Sequence, residues 1–258
     1  MKYFFISDIH GQYEMMLAAL QQTGFDMEKD TLVSVGDPFD RGPKSKEVLD
    51  FILQCPNRII ILGNHDWRLK VLLWKPVMMN KYDISNGVPA TIKSFLNIAQ
   101  DNKNYGMNLW TALDKLNDIK ELKQYFAEGC YAIEFKNLIA THGWLPHEEI
   151  HYTLDPNWRK ADKQAWYDAT WAHTEKCIIG EAFPDKKLLV GHWHAWRIAE
   201  LYGEKRYKFG DQDSNPSLNA DIFETDKLIT IDGCTNYPFG GKVNVYVYES
   251  DEAPIYYG

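Results

Sequence analysis

The feature that most restricts the fold of this chain is a recurrence: short apolar runs, each followed at once by residues able to bind metal or phosphate. Run 3–6 precedes Asp8 and His10, and run 31–35 precedes Asp37. Run 58–62 precedes Asn64 and His65, run 138–140 precedes His142, and run 188–190 precedes His192 and His194. Runs this short, bounded by glycine and polar residues, read as buried strands. In a sheet of βα units the loops at the carboxyl ends of neighbouring strands converge on one edge, so residues distant in sequence meet in one crevice.

Helical patterns separate the early strands. Residues 13–23 carry apolar side chains at 15, 16, 17, 19 and 20, and 44–54 follow Pro43, which predicts a βαβαβ start. Amphipathic helices are expected across 66–128, for example over 90–99 and 109–126, punctuated by Asn86-Gly87 and Asn104-Tyr105-Gly106. That stretch reads as a helical insertion within a single domain spanning 1–258. Runs 228–231 and 243–248 alternate more and flank Gly240-Gly241, so a second set of strands, partly antiparallel, is expected there. The polar stretch 210–219, with Pro216, reads as a mobile loop.

Composition narrows the function. At 258 residues and 45% hydrophobic the chain can build one large core. A formal charge of −8 leaves no net basic surface for sequence-independent binding of nucleic acid, so any bound phosphate needs local positive charge. Cys55, Cys130, Cys177 and Cys234 form no C-x-x-C pair and read as reduced thiols. The first apolar run is too short for an export signal, and no run approaches the ~18 residues of a membrane span. A cytoplasmic protein with no membrane partner is expected.

The chemistry-bearing residues are carboxylates, imidazoles and an amide without a thiolate, a mixture suited to Mn, Fe or Zn in a hydrolytic site rather than to a closed structural zinc site. They sit in tight motifs: Asp8-Ile9-His10-Gly11, Gly36-Asp37-Pro38-Phe39-Asp40-Arg41-Gly42, Gly63-Asn64-His65-Asp66, Thr141-His142-Gly143 and Gly191-His192-Trp193-His194. In order and spacing these resemble the calcineurin-like metallophosphoesterases, and within them the bacterial PPP-type phosphatases and symmetrical dinucleoside tetraphosphatases. Asn86-Gly87, Ala90-Thr91-Ile92 and segment 139–145 extend the resemblance to about residue 195.

The resemblance implies an α/β fold, a four-layer αββα sandwich of two mixed sheets. It implies two divalent metal ions, manganese first with Fe or Zn open, about 3.5–4 Å apart. Asp8, His10 and Asp37 would hold the first, with His194 as a fourth ligand, and Asn64, His142 and His192 the second, Asp37 bridging. Two such ions offset the charge of a phosphate and lower the pKa of a bridging water, the nucleophile. His65 would then protonate the leaving oxygen, Asp40 would orient it, and Arg41, with Asn64, would bind the phosphate.

The signature is mixed in one respect. PPP protein phosphatases carry arginine just before Gly-Asn-His, whereas this chain has Leu62, as the symmetrical tetraphosphatases do. Those enzymes in turn lack an acid at the Asp40 position. The leading expectation is hydrolysis of phosphomonoesters, phosphoserine or phosphothreonine in proteins included. The alternative is cleavage of a dinucleoside polyphosphate, and a third reading is a non-catalytic phosphate-binding scaffold.

Other features read as structural. His147-Glu148-Glu149-Ile150-His151 matches H-E-x-x-H, but Pro146 before it and Asp155-Pro156 after it deny it the long helix a zinc protease needs. Trp67, Trp144, Trp193 and Trp196 adjoin motif residues and read as packing that could also stack a base. Lys44, Lys46, Arg68 and Lys70 read as solvated helix charges.

Overall fold

The computed structural model describes residues 1–75, 77–100, 109–210 and 215–258. The chain opens with β1 (Lys2–Ile6), α1 (Tyr13–Gln22), β2 (Thr31–Val35), α2 (Ser45–Gln54) and β3 (Arg58–Ile61). Helices α3 (Asn64–Trp74), α4 (Lys81–Ser85), α5 (Val88–Phe95), α6 (Leu109–Leu116) and α7 (Lys120–Glu128) follow. Then come β4 (Ala132–Glu134), β5 (Leu138–Thr141), α8 (Lys163–Thr170), α9 (Thr174–Ile179), β6 (Lys187–Val190) and α10 (Ala195–Leu201). Short strands close the chain: β7 (Tyr207–Lys208), β8 (Ser217–Leu218), β9 (Phe223–Glu224), β10 (Leu228–Thr230), β11 (Val245–Glu249) and β12 (Ile255–Tyr257).

One sheet runs β11-β1-β2-β3 and a second β12-β4-β5-β6-β10-β9, with β7-β8 a separate pair. Both are mixed: β1, β2 and β3 are parallel, as are β5, β6 and β10, while β11, β12, β4 and β9 pair antiparallel. Strand periodicity explains the layering. Phe5, Val33, Val35 and Ile61 point from the first sheet onto Ile133, Ala140, Leu189 and Ile229 of the second. The alternate residues Phe4, Ile6, Leu32 and Ile60 face Met16, Leu20, Val48 and Ile52 of α1 and α2. Ile139, Leu188 and Val190 face Trp166 and Ile198 on the far side. Two sheets therefore pack face to face with helices outside, the expected αββα sandwich.

Several local expectations need correction. The helix expected over 109–126 is two helices, broken at Asn117-Asp118, and the one expected over 90–99 begins at Val88, with Pro89 in its first turn, and ends at Phe95. Strands β4, β9 and β12 have three residues or fewer, too few for a period to register. The runs 228–231 and 243–248 yield β10 and β11, which enter different sheets. Turn 104–106 and residues 211–214 of the expected mobile loop lie outside the described residues. Arg68 is not a solvated charge: it makes a two-pronged ion pair with Asp83, whose side chain is fully buried. Lys70 covers the Trp67 ring at 4.6 Å.

One ion cluster fixes the second sheet's edge. Glu134 on β4 accepts from both arms of Arg159 (2.7 and 2.9 Å) and from the Tyr257 hydroxyl on β12, with Lys186 at 2.7 Å. The Arg159 hydrogen bonds, followed by those of Lys186 and Tyr257, hold its carboxyl down at about 2. A depressed carboxylate pKa contributes stability that is complete above the unfolded value of about 4.3 and is lost as pH falls toward 2. Glu134→Gln is therefore expected to lower unfolding free energy by about 2 kcal/mol at neutral pH. In urea melts of both proteins the gap should narrow between pH 5 and pH 2.5, and a constant gap would contradict the assignment.

Candidate metal centre and active site

Every motif residue sits where a strand of one of the two sheets gives way to a loop or helix. Asp8 and His10 lie between β1 and α1, Asp37, Asp40 and Arg41 between β2 and α2, and Asn64 and His65 open α3. His142 follows β5, and His192 and His194 lie between β6 and α10. The turns that aim them are strained: Asp8, His10, Asp37, Asp40, Arg41 and His192 all have φ between 47° and 69°. Left-handed backbone at non-glycine residues costs about 1 kcal/mol or more each and collects at functional sites. Glycine serves a different need here, close approach: a Cβ on Gly63 would fall 2.8 Å from the Asp37 nitrogen, and one on Gly191 2.5 Å from Asp8 Oδ2.

Asp37 is the hub. Its carboxylate belongs to two trios whose donor atoms all lie within 4.8 Å of one another, His10–Asp37–His65 and Asp37–His142–His192. Asp37 Oδ2 is 3.4 Å from His142 Nε2 and 4.0 Å from both His10 Nε2 and His65 Nε2. Asp8 Oδ1 is 4.0 Å from His10 Nε2, and Asn64 Oδ1 is 2.9 Å from His142 Nε2. His194 lines the same crevice outside both trios.

The arrangement fits divalent ions. Donors bound at ~2.0–2.2 Å to one ion stand about 3–4 Å apart, the spacing seen around Asp37. Imidazole orientation agrees as well: His10 Nδ1 is tied to the Phe39 carbonyl (2.7 Å), His142 Nδ1 to the Val35 carbonyl (2.8 Å) and His194 Nδ1 to Asp232 (2.9 Å). Each then carries its proton on Nδ1 and turns the Nε2 lone pair outward, the usual support for a metal-binding histidine. Arg41 Nη1 lies 2.7 Å from His10 Nε2 and Arg41 Nη2 3.2 Å from His65 Nε2.

Charges this close disturb one another. Burial, then the charge of Asp232, pushes Asp8 up to about 7, and burial, then Asp37, does the same to Asp66. For Asp37 burial acts upward, yet His142 and His65 outweigh it and hold the carboxyl well below its ordinary value. Burial would depress His65, but Asp37 and the hydrogen bond that the imidazole donates to Asp40 raise it above the ordinary histidine range. That bond joins His65 Nδ1 to Asp40 Oδ2 at 2.8 Å.

Supporting residues emerge to which the sequence patterns gave no role. Asp66 accepts from the Asp37 and Gly63 amides (3.0 and 2.7 Å) and from the Tyr125 hydroxyl of α7 (3.1 Å). Thr91 on α5 holds Asp40 at both its amide and its carboxylate, 2.8 Å each. Asp232 closes the apolar run 228–231, with only Ile231 between it and the end of β10, so the rule of an acid closing an apolar run could have found it. Arg197, on α10, lines the crevice without an ion-pair partner: among the described residues its guanidinium meets only the Trp193 and Trp196 rings, at 5.9 and 5.5 Å.

The H-E-x-x-H segment forms a turn in which Glu148 accepts from the Ile150 and His151 amides, and His151 is exposed, so it builds no zinc helix. Trp144 is fully buried and Trp67 stacks on Tyr131 (5.5 Å), whereas Trp193 stands on the crevice wall. All four cysteines are free. No helix among the described residues is long and apolar enough to cross a membrane.

This fold and this acid–histidine crevice define a class, and comparison with known proteins agrees: the chain belongs to the calcineurin-like phosphoesterase family, whose model matches residues 1–227. Among relatives it is 44% identical over 70 residues to a symmetrical bis(5'-nucleosyl)-tetraphosphatase of Buchnera aphidicola subsp. Acyrthosiphon pisum, covering 27% of this chain and 26% of that protein. A protein of the same name from Klebsiella pneumoniae is 41% identical over 70 residues, 27% of this chain and 25% of the relative. The chain thus matches about a quarter of the length of these curated relatives. Two solved structures share the fold, each with a TM-score of 0.52. One is described as a candidate diadenosine tetraphosphatase (17% identity, covering 100% of this chain and 94% of the other). The other is a serine/threonine phosphatase from Saccharomyces cerevisiae (15% identity, 98% and 81%).

Proposed function

We propose that this chain is a metal-dependent phosphoesterase whose substrate is a dinucleoside polyphosphate. The observation that carries the catalytic reading is Asp37, shared by two trios of metal-type donors beside the Arg41 guanidinium. Two divalent ions, manganese foremost, would be held by Asp8, His10, Asp37 and His194 on one side and by Asp37, Asn64, His142 and His192 on the other. When bound they supply charge that offsets the phosphate's and activates water for attack. The chain's own residues do the rest. Arg41 presents its planar fork to two non-bridging oxygens, Asn64 contributes a further contact, and Arg197 offers an unpaired positive charge to the next phosphate along. His65, held by Asp40 and Thr91, keeps a proton for the leaving oxygen.

The substrate class rests on Leu62 in place of arginine and on the tetraphosphatase names of the relatives. The second reading, hydrolysis of phosphomonoesters such as phosphoserine or phosphothreonine, is favoured by the Asp40–His65 pair, because an acid matters most where the leaving alkoxide is poor. The test is a side-by-side assay of metal-stripped protein, resupplied with Mn²⁺, Fe²⁺ or Zn²⁺, on diadenosine tetraphosphate, a phosphothreonine peptide and p-nitrophenyl phosphate. The largest kcat/KM is expected for the dinucleotide. Preference for the peptide would move the assignment to the second reading, and absence of turnover with every metal would leave only a phosphate-binding scaffold.

A further inference from the structure

The metal crevice, a cavity of about 430 Å³, adjoins a larger one of about 770 Å³, and Trp171 and His173 line both. The two differ in charge. Arg41 and Arg197 line the crevice together with the metal-type donors Asp8 and Asp37, whereas the larger cavity is lined by Glu149, Asp162 and Asp168 and by no lysine or arginine. Its walls carry rings, Tyr152 and Tyr167 in addition to Trp171. Its polar groups have capacity to spare: Asp162 uses Oδ1 to cap α8 and Asp168 uses Oδ1 for Gln164, leaving each Oδ2 without a partner among the described residues. The buried Trp171 indole nitrogen also has no partner there.

A ligand reaching through both cavities must be anionic at one end and neutral, flat and rich in hydrogen-bond donors at the other. More phosphate would be repelled by the three carboxylates, whereas a base stacks on rings, and ribose hydroxyls and exocyclic amines donate to carboxylate oxygens. The volume falls within the ~300–1,000 Å³ of small-molecule sites. We infer that the cavity between the 147–152 turn and α8 is a nucleoside subsite, with Tyr167 as the stacking surface and Asp162 and Asp168 as acceptors. The phosphate chain passes Trp171 and His173 to the metal crevice. This assignment rests on the proposed dinucleotide substrate, but its test does not require turnover.

The test is titration of the metal-free full chain with adenosine, which carries no phosphate, followed by calorimetry and tryptophan fluorescence. Adenosine is expected to bind the unmodified chain, and Tyr167→Ala and the exposed Asp168→Ala should each weaken it about tenfold, ~1.4 kcal/mol. Ribose 5-phosphate should not displace it. In kinetics, the ratio of kcat/KM for diadenosine tetraphosphate to that for p-nitrophenyl phosphate should fall about tenfold in both variants. No adenosine binding, or an affinity in both variants unchanged from that of the unmodified chain, overturns the subsite. Adenosine binding without dinucleotide turnover would sink the substrate proposal and leave the subsite standing, and turnover without adenosine binding would do the reverse.

Discussion

Asp37→Asn is expected to reduce turnover about a thousandfold, ~4 kcal/mol of barrier, on every phosphate substrate the chain accepts. Asp37 is the one residue common to both donor trios, and its carboxylate also accepts the His65 amide at 3.0 Å. An amide oxygen can still accept that hydrogen bond, so the backbone should hold, but a neutral side chain cannot bridge two cations. Metal content, measured by elemental analysis after dialysis against Mn²⁺, should fall to one equivalent or less. Loss of fold is a separate matter. Burial, with repulsion from neighbouring acids, lifts Asp8 and Asp66 to about 7, so removing the Asp37 charge relieves the Asp66 strain and part of that on Asp8. The same change removes the charge that His142 and His65 stabilise, so the two effects oppose each other and the metal-free variant should melt within a few degrees of the unmodified chain. Near-normal turnover with two bound metals would sink the site assignment.

The same hub explains what could be read from the sequence. Strand ends were legible because a three- to five-residue apolar run closed by Asp, Asn or His is a local pattern, and β1, β2, β3, β5 and β6 fall on it within a residue or so. What that pattern cannot carry is the geometry of support. Tyr125 reaches Asp66 from α7, at the far end of the helical stretch 66–128, and Thr91 reaches Asp40 from α5. Both bonds cross more than fifty residues and depend on how helices pack, so no spacing announces them. Arg68 escapes the sequence for a related reason: on its own helix it has the look of a surface charge, and only the placement of α4 brings Asp83 beneath it. Family motifs did better, because the Asn86-Gly87 turn and Thr91 are the sequence trace of that contact with the Asp40–Arg41 loop. The acidic cavity beside Trp171 left no trace, since its residues come from a turn, a helix and a loop with no shared pattern.

His65→Gln should separate acid chemistry from metal binding. The side chain sits where a ligand could, 4.0 Å from Asp37 Oδ2, but Asp40 holds its Nδ1 at 2.8 Å and Arg41 touches Nε2 at 3.2 Å. A histidine fixed at one nitrogen by a carboxylate and facing the Arg41 guanidinium with the other would, in the proposed mechanism, protonate the departing oxygen. General acids are worth about 10²–10⁴ in rate, and the whole of that is felt only when the leaving group is a strong base. The variant should lose several hundredfold on phenyl phosphate and on a phosphoserine peptide, and less than about tenfold on p-nitrophenyl phosphate. Diadenosine tetraphosphate, whose leaving group is a nucleoside phosphate already stable as an anion, should behave like the activated ester. Asp40→Asn should show the same order of substrates with smaller losses, because it weakens the orientation of His65 and leaves the ring in place. Two metal equivalents should remain bound in both variants. If His65→Gln lost one, His65 would be a ligand in the His10–Asp37 trio, and equal losses across all leaving groups would exclude it as the acid.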